Sequence, residues 1–362
     1  MTTLVLHIGS PKTGSSAIQA AFPPRGPRWR SSGWCIPPAN PYGHIEPAGG
    51  IATLYGSPDV LPRVWSQRQL DDPERFRRDV SRYRQLLKRC FLPRWRRSPQ
   101  ALLLSSEYLW SFSPDAIRAL QRDVQDLGVK RFLVIAYVRA PQLFYCSVLQ
   151  QHARLSSSLK RFQPQRWRYR FRQRLEAWQQ VFGADLVVRP YERAQLVRSC
   201  VVQDLLTTIQ THLPELPPLT PKLQRQAVNR SVCMEQLLVM QDWMRQQSPE
   251  GASGGLRRSR VLWRQWARLA QAVEGQAGTP IALDAEVASL IQQRHASDLE
   301  WLQSSFGIAF RDAPPLAAPS ATVCEREWSD HLQLEDLLQP ARNAALLQLL
   351  RHKLRGRSLP AC

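Results

Sequence analysis

The chain has 362 residues, of which 43% are hydrophobic, enough to bury a sizeable core. Its 49 Lys and Arg against 29 Asp and Glu give a formal charge of +20 at pH 7, which favours polyanionic ligands, membrane surfaces or nucleic acid. The seven scattered cysteines form no CxxC pair and have no metal-ligand spacing, so they indicate reduced thiols.

The first predicted elements are a strand, a tight loop and a helix. Residues 4–8 form an apolar run typical of a buried strand, and a helix is expected at about 15–22. Gly9 and Gly14 allow the chain between them to turn sharply. The backbone N–H groups of residues 13–16 would then point toward a bound anion. This segment predicts a phosphate cradle.

Lys12 distinguishes this loop from the phosphate loop of nucleotide triphosphatases. In the pattern GxxxxGK[ST] the lysine follows the second glycine, whereas here Ser15 follows Gly14 and the lysine comes earlier. The order GSPKTGSS resembles the 5′-phosphosulfate loop of sulfotransferases, which use 3′-phosphoadenosine 5′-phosphosulfate (PAPS). An ordinary glycine-containing turn is the alternative. The resemblance implies that PAPS is held by residues of this loop: Pro11, Lys12, Thr13, Gly14, Ser15 and Ser16.

His44 lies in an irregular stretch that extends to about residue 70. Sulfotransferases of this type often have a histidine after the first helix, and an imidazole titrates near neutral pH, as a general base should. The resemblance therefore makes His44 one candidate for the base that activates the acceptor. A helix is predicted at 73–92.

Glu107 is the other candidate base. It follows an apolar strand predicted at 101–104, in the signature Ser105-Ser106-Glu107. This signature resembles that of bacterial and carbohydrate sulfotransferases, and in some of the latter a glutamate is the general base toward the acceptor hydroxyl. The resemblance puts Glu107 ahead of His44. A cap on the following segment, or an ion pair with an arginine, is the alternative role for its carboxylate.

Arg139 stands at the end of a buried strand predicted at 132–138, and Pro141 opens a helix that carries Ser147. The pattern R-x-P-x5-S resembles the 3′-phosphate-binding element of sulfotransferases, which implies that Arg139 and Ser147 both hold the 3′-phosphate of PAPS. A guanidinium at a strand end can make bidentate contacts to a phosphate. A structural salt bridge is the alternative role of Arg139.

Residues 154–174 carry eight cations and no carboxylate, with Trp167, Tyr169 and Phe171 interleaved. Such a mixture could bind an anionic glycan or nucleic acid by charge and stacking. A solvated helix face or a loop is the alternative. The resemblance implies that this segment borders the acceptor site, so an acidic acceptor is expected.

The last part of the chain is predicted to be mostly helical. A further strand at 186–188 and a proline-rich break at 214–221 come before Asn229. The resemblance implies that Asn229 approaches the cofactor, and a helix N-cap is its alternative role. We expect three regions: a sulfotransferase-like α/β core at 1–235, a helical part at 236–312, and a linker with a basic tail helix at 313–362.

These elements predict an α/β fold with a P-loop-type central, mainly parallel sheet flanked by helices, and a helical C-terminal subregion. The resemblance implies transfer of a sulfuryl group from PAPS to an acceptor hydroxyl, with a carbohydrate as the expected acceptor and no metal required. A P-loop kinase using ATP and a non-catalytic basic nucleic-acid-binding protein are the alternatives. The early lysine and the lack of a strand-end aspartate for magnesium argue against the kinase.

Neither a signal peptide nor an apolar run of ~20 residues is recognisable in the sequence. We therefore expect a cytoplasmic protein without a transmembrane segment. The oligomeric state is left open.

Overall fold

The structure is a computed structural model, and it forms two compact units. It describes residues 2–23, 33–36, 55, 71–82, 85, 100–222, 232–247, 265–271, 273, 277–311, 328 and 332–354. The first unit comprises Met1–Ala140, Arg170–Ala227 and Asp298–Asp312, and the second comprises Pro141–Tyr169, Val228–Ser297 and Ala313–Cys362. Because both units are discontinuous in sequence, they cross the linear boundaries expected at 235 and 312.

The first unit is built on a sheet of five parallel strands in the order β2-β3-β1-β4-β5. The strands are β1 (Thr2–His7), β2 (Trp34–Cys35), β3 (Ala101–Ser105), β4 (Val129–Val138) and β5 (Leu186–Pro190). This confirms the predicted α/β fold with a central parallel sheet. Strand β2, which has only two residues, lies at the edge beside β3 and was not predicted individually.

The helices, in chain order, are α1 (Ser15–Ala21), α2 (Pro114–Asp126), α3 (Pro141–Ala153), α4 (Phe171–Phe182), α5 (Val201–His212), α6 (Met234–Gln247), α7 (Ala285–Gln293), α8 (Ala296–Phe306) and α9 (Ala344–Leu354). Residues 73–82 and 265–271 are also helical. Short 3-10 helices occupy Glu107–Ser111, Lys160–Phe162, Gly183–Asp185, Val197–Ser199 and Leu334–Asp336. Helix α2 begins at Pro114, because the Ser113 hydroxyl accepts a hydrogen bond from the N–H of Ala116 and a proline is favourable at the first helical position.

Strand β1 is the centre of the sheet and is buried along its whole length. A strand covered on both faces carries apolar side chains continuously, which explains the run Leu4, Val5 and Leu6. The hydrogen bonding to β4 continues past the strand end, since the N–H of Ile8 donates to the Ile135 carbonyl at 3.0 Å. The first turn of the following loop is thereby held to the sheet.

Asp204 anchors α5 to the strands β4 and β5. Its fully buried carboxylate accepts hydrogen bonds from the Tyr137 hydroxyl at 2.9 Å and from Arg189 Nε and Nη2 at 3.1 and 2.8 Å. It also accepts from the N–H of Val197 at 3.1 Å. Burial, followed by the charge of Asp204, raises the pKa of Tyr137, and the hydrogen bond to Asp204 raises the pKa of Arg189. Four hydrogen bonds therefore match this buried charge.

The second unit has its own helical core. Apolar side chains of α3, α6, α7 and α9 meet in one buried cluster that includes Tyr145, Leu237, Ile291 and Leu350. Helix α9 is the predicted tail helix, and it packs against α6 with its apolar face buried. Within the described ranges, no helix combines the length and the apolar character needed to cross a membrane.

Replacing Asp204 with alanine should lower the free energy of unfolding by about 3–5 kcal/mol, because it leaves Arg189 and the Tyr137 hydroxyl without their buried acceptor. Urea unfolding of the two proteins measures this difference. The matched control is Glu215→Ala, whose half-exposed ion pair with Arg131 should contribute less than about 1 kcal/mol. Equal losses in the two variants would contradict the anchoring role of Asp204.

Candidate active site

The carboxyl ends of β1 and β4 form the point where the strand order of the sheet reverses. After β1 the chain builds β2 and β3 on one side, and after β4 it builds β5 on the other. In open parallel sheets, ligands bind in the crevice at such a switch point. The loop at residues 8–14 follows the end of β1, and Arg139 follows the end of β4. The glycine-containing loop motif and the arginine motif therefore lie at the edge of the sheet where a ligand is expected.

The loop between β1 and α1 has a strained backbone. Lys12 has φ 65° and Gly14 has φ 83°, both in the left-handed region. A Cβ atom at Gly14 would lie 2.8 Å from Val201 Cγ1 and 3.1 Å from Tyr191 Cε2, so glycine is required there. For Lys12 the conformation costs on the order of 1 kcal/mol. Strain of this kind is concentrated at ligand sites.

Hydrogen bonds within the loop fix its shape. The fully buried Thr13 donates from its hydroxyl to the Ser10 carbonyl at 2.5 Å, so an anion could reach Thr13 only through its backbone N–H. Gly14 provides no side-chain cap for α1, which leaves the first N–H groups of this helix without a capping side chain. Helix α1 has only seven residues, so any anion is held by local N–H groups and by Lys12 and not by a long helix dipole.

Arg139 contacts the loop directly. Its Nη1 donates to the carbonyl oxygen of Lys12 at 3.4 Å, a long hydrogen bond between residues 127 positions apart. Its guanidinium also lies over the ring of Tyr191, 5.8 Å from the centroid. Because the same ring packs against Gly14, Tyr191 supports both the loop and the arginine. Two cations thus stand at one edge of the sheet.

Glu107 is held by the same loop. The hydroxyl of Ser15, at the start of α1, donates to Glu107 Oε2 at 2.9 Å. Ser15 is nearly buried, whereas Glu107 is half-buried at the start of its 3-10 helix. In the described part of the chain the side chain of Glu107 is hydrogen-bonded to a loop serine, and Glu107 also lies in the first turn of its 3-10 helix, where an acidic side chain is favourable.

His7, the last residue of β1, is fully buried, and its ring packs against Gly9 of the loop. Its Nδ1 lies 2.8 Å from Ser105 Oγ, while its Nε2 has no partner among the described residues. Burial lowers the pKa of His7 to about 3, so the ring is neutral in the folded protein. A Cβ atom at Gly9 would lie 2.8 Å from this Nε2, and only glycine allows the chain to pass so close.

Sequence reasoning missed Tyr191, which links Gly14 to Arg139. Its N–H donates to the Val138 carbonyl at 2.6 Å and so continues the pairing of β5 with β4. The available signal was its position, because it comes three residues after the strand predicted at 186–188 and therefore belongs to the same edge of the sheet as Arg139.

The remaining predicted site residues are placed as follows. Ser16 is exposed and Pro11 is half-buried in the loop region of the first unit. Ser147 is half-buried on α3 in the second unit. His44 and Asn229 lie outside the described residues. In the parts of the chain that are described, no cluster of three or more His, Cys, Asp or Glu side chains could hold a metal ion.

The aromatic residues of the arginine-rich segment face inward. In the second unit, Tyr169 stacks on Phe144 with a centroid distance of 3.9 Å, and Trp167 packs edge-on against Tyr145 at 5.0 Å. The N–H of Tyr169 also donates to His295 Nε2 at 2.9 Å. Tyr169 and Phe171 are buried and Trp167 is half-buried, so these rings contribute to packing. The arginines at 166, 168 and 170 are exposed.

Comparisons with known proteins do not assign the chain to a family. It matches no family model, no curated protein and no solved structure. The resemblance to sulfotransferases therefore rests on the three sequence motifs alone. The positions of these residues in the structure are an observation that does not depend on that resemblance.

The buried His7 should make the protein less stable at mildly acidic pH. Below pH 6.5 the unfolded chain protonates this ring, whereas the folded protein does not until about pH 3. The free energy of unfolding should therefore fall by about 1 kcal/mol more per pH unit in the wild type than in His7→Asn within this window. Urea unfolding at several pH values measures the slopes. The control is His352→Asn, which removes an exposed ring on α9. Equal slopes for wild type and His7→Asn would contradict the burial of a neutral ring.

Proposed function

We propose that this protein is a sulfotransferase that moves a sulfuryl group from PAPS to an acceptor hydroxyl. The observation that carries the proposal is the meeting of three motifs on one loop. Arg139 donates to the Lys12 carbonyl, and Glu107 accepts from the Ser15 hydroxyl. Residues that are distant in the sequence, and that match successive sulfotransferase motifs, thus surround a single strained turn at the sheet edge.

The charges of this site suit the donor substrate. PAPS carries a 5′-phosphosulfate and a 3′-phosphate, and the site offers Lys12 for the first and Arg139 for the second. The uncapped N–H groups at the start of α1 add donors beside Lys12. The early position of the lysine supports phosphosulfate over ATP, because a kinase loop carries its lysine after the second glycine.

In the proposed reaction the acceptor oxygen attacks the sulfur of PAPS. A new S–O bond forms, the bond between sulfur and the bridging oxygen breaks, and the electron pair stays on that oxygen. Lys12 stabilises the negative charge that develops there. Glu107 accepts the proton of the acceptor hydroxyl, and Arg139 fixes the nucleotide in position.

The proposed acceptor is a carbohydrate hydroxyl, and the proposal includes an anionic glycan. The exposed arginines at 166, 168 and 170 are the groups that would bind its charges. Their neighbouring rings are packed inside, so this contact relies on charge and hydrogen bonding. A cytoplasmic location is part of the same proposal.

A thermal-shift assay with 3′,5′-adenosine bisphosphate and ATP tests the assignment of the site. The bisphosphate should stabilise the wild type more than ATP does, because only it presents a 3′-phosphate to Arg139. Arg139→Ala should weaken its binding about 10- to 100-fold. The matched control is Arg131→Ala, which removes an exposed arginine near the opposite end of β4 and should leave binding unchanged.

Two results would overturn the proposal. Stronger stabilisation by ATP would favour a P-loop kinase. Salt-sensitive binding of DNA or RNA, with no response to either nucleotide, would favour a basic nucleic-acid-binding protein.

A further inference from the structure

The hydrogen bond between Ser15 and Glu107 joins the two halves of the proposed site. Ser15 belongs to the loop assigned to the phosphosulfate, whereas Glu107 is the candidate base toward the acceptor. Their oxygens lie 2.9 Å apart, and Ser15 is only 5% exposed, so its hydroxyl has few other directions in which to donate. A single hydrogen bond thus connects the proposed anion site to the proposed base.

A serine hydroxyl has a single hydrogen to donate. It can serve the carboxylate of Glu107 or the oxygen of a bound phosphate, but not both at once. A phosphate in the loop therefore competes with Glu107 for this donor. The competition costs binding free energy, because the bond to a carboxylate is charge-assisted and must be given up.

We infer that Ser15 is a positioning residue that holds Glu107 against the loop until the donor substrate binds and takes over the Ser15 hydroxyl. The inference rests on the proposed function. No covalent bond changes in this step, because only the O–H group of Ser15 turns from Glu107 Oε2 to a phosphate oxygen. Glu107 Oε2 then regains the lone pair that the Ser15 hydroxyl had occupied and can accept the hydrogen of the acceptor hydroxyl, so donor binding and release of this oxygen are one coupled event.

A double-mutant cycle with 3′,5′-adenosine bisphosphate as the probe tests this coupling. Isothermal titration compares four proteins: the wild type, Ser15→Ala, Glu107→Ala and the double variant. In the presence of Ser15, Glu107→Ala should tighten binding about tenfold, since the hydroxyl is released and a like charge is removed. In the Ser15→Ala background only the charge effect remains, so the same substitution should tighten binding clearly less.

The conservative variant Ser15→Thr keeps the hydroxyl and should restore the full response to Glu107→Ala. A merely structural role of Ser15 would not produce this pattern, because a change of packing at position 15 would not depend on which side chain stands at 107. Circular dichroism of each variant shows that it is folded before the titration.

The outcomes separate the two levels of the proposal. If the bisphosphate binds and Glu107→Ala has the same effect with and without the Ser15 hydroxyl, the positioning role is overturned and the proposed function stands. If the bisphosphate does not bind the wild type at all, the proposed function fails and the inference fails with it.

Discussion

The buried carboxylate of Asp204 is the interaction on which the site depends. A charge without solvent must be matched by donors, and here Tyr137, Arg189 and a backbone N–H surround it. The result is a fixed position for α5 against β4 and β5. Helix α5 begins with Val201, whose side chain closes on Gly14, so the anchoring of one helix limits the conformation of the loop at the far end of β1.

The geometry of the loop follows from this support. Gly14 is pressed between Val201 and Tyr191, and the chain can turn there only with a positive φ. Lys12 takes the same left-handed region without being a glycine, so the surrounding contacts must hold it there. Arg139 and Glu107 both contact this segment, and in the proposed reaction the cations serve the polyanionic donor while the carboxylate accepts a proton.

The main strands could be predicted because parallel strands buried on both faces are continuous apolar runs. Strand β2 could not, since Trp34 and Cys35 alone give no periodic pattern. Lys12 and Arg139 could be found from motif order, but the role of Tyr191 depends on a contact between distant parts of the chain. The division into two units could not be predicted either, because the chain passes from the first unit to the second directly after Ala140, at the start of a helix and without a linker.

The central claim is sulfuryl transfer, and the most direct measurement uses PAPS labelled with radioactive sulfur. The protein is incubated with labelled PAPS and a lysate of its own cell type, and the labelled products are separated and identified. The account predicts label in a carbohydrate with the wild type, and little transfer with Glu107→Gln, which should still bind 3′,5′-adenosine bisphosphate. Label that stays in PAPS with the wild type would contradict sulfuryl transfer, and undiminished transfer by Glu107→Gln would contradict Glu107 as the base.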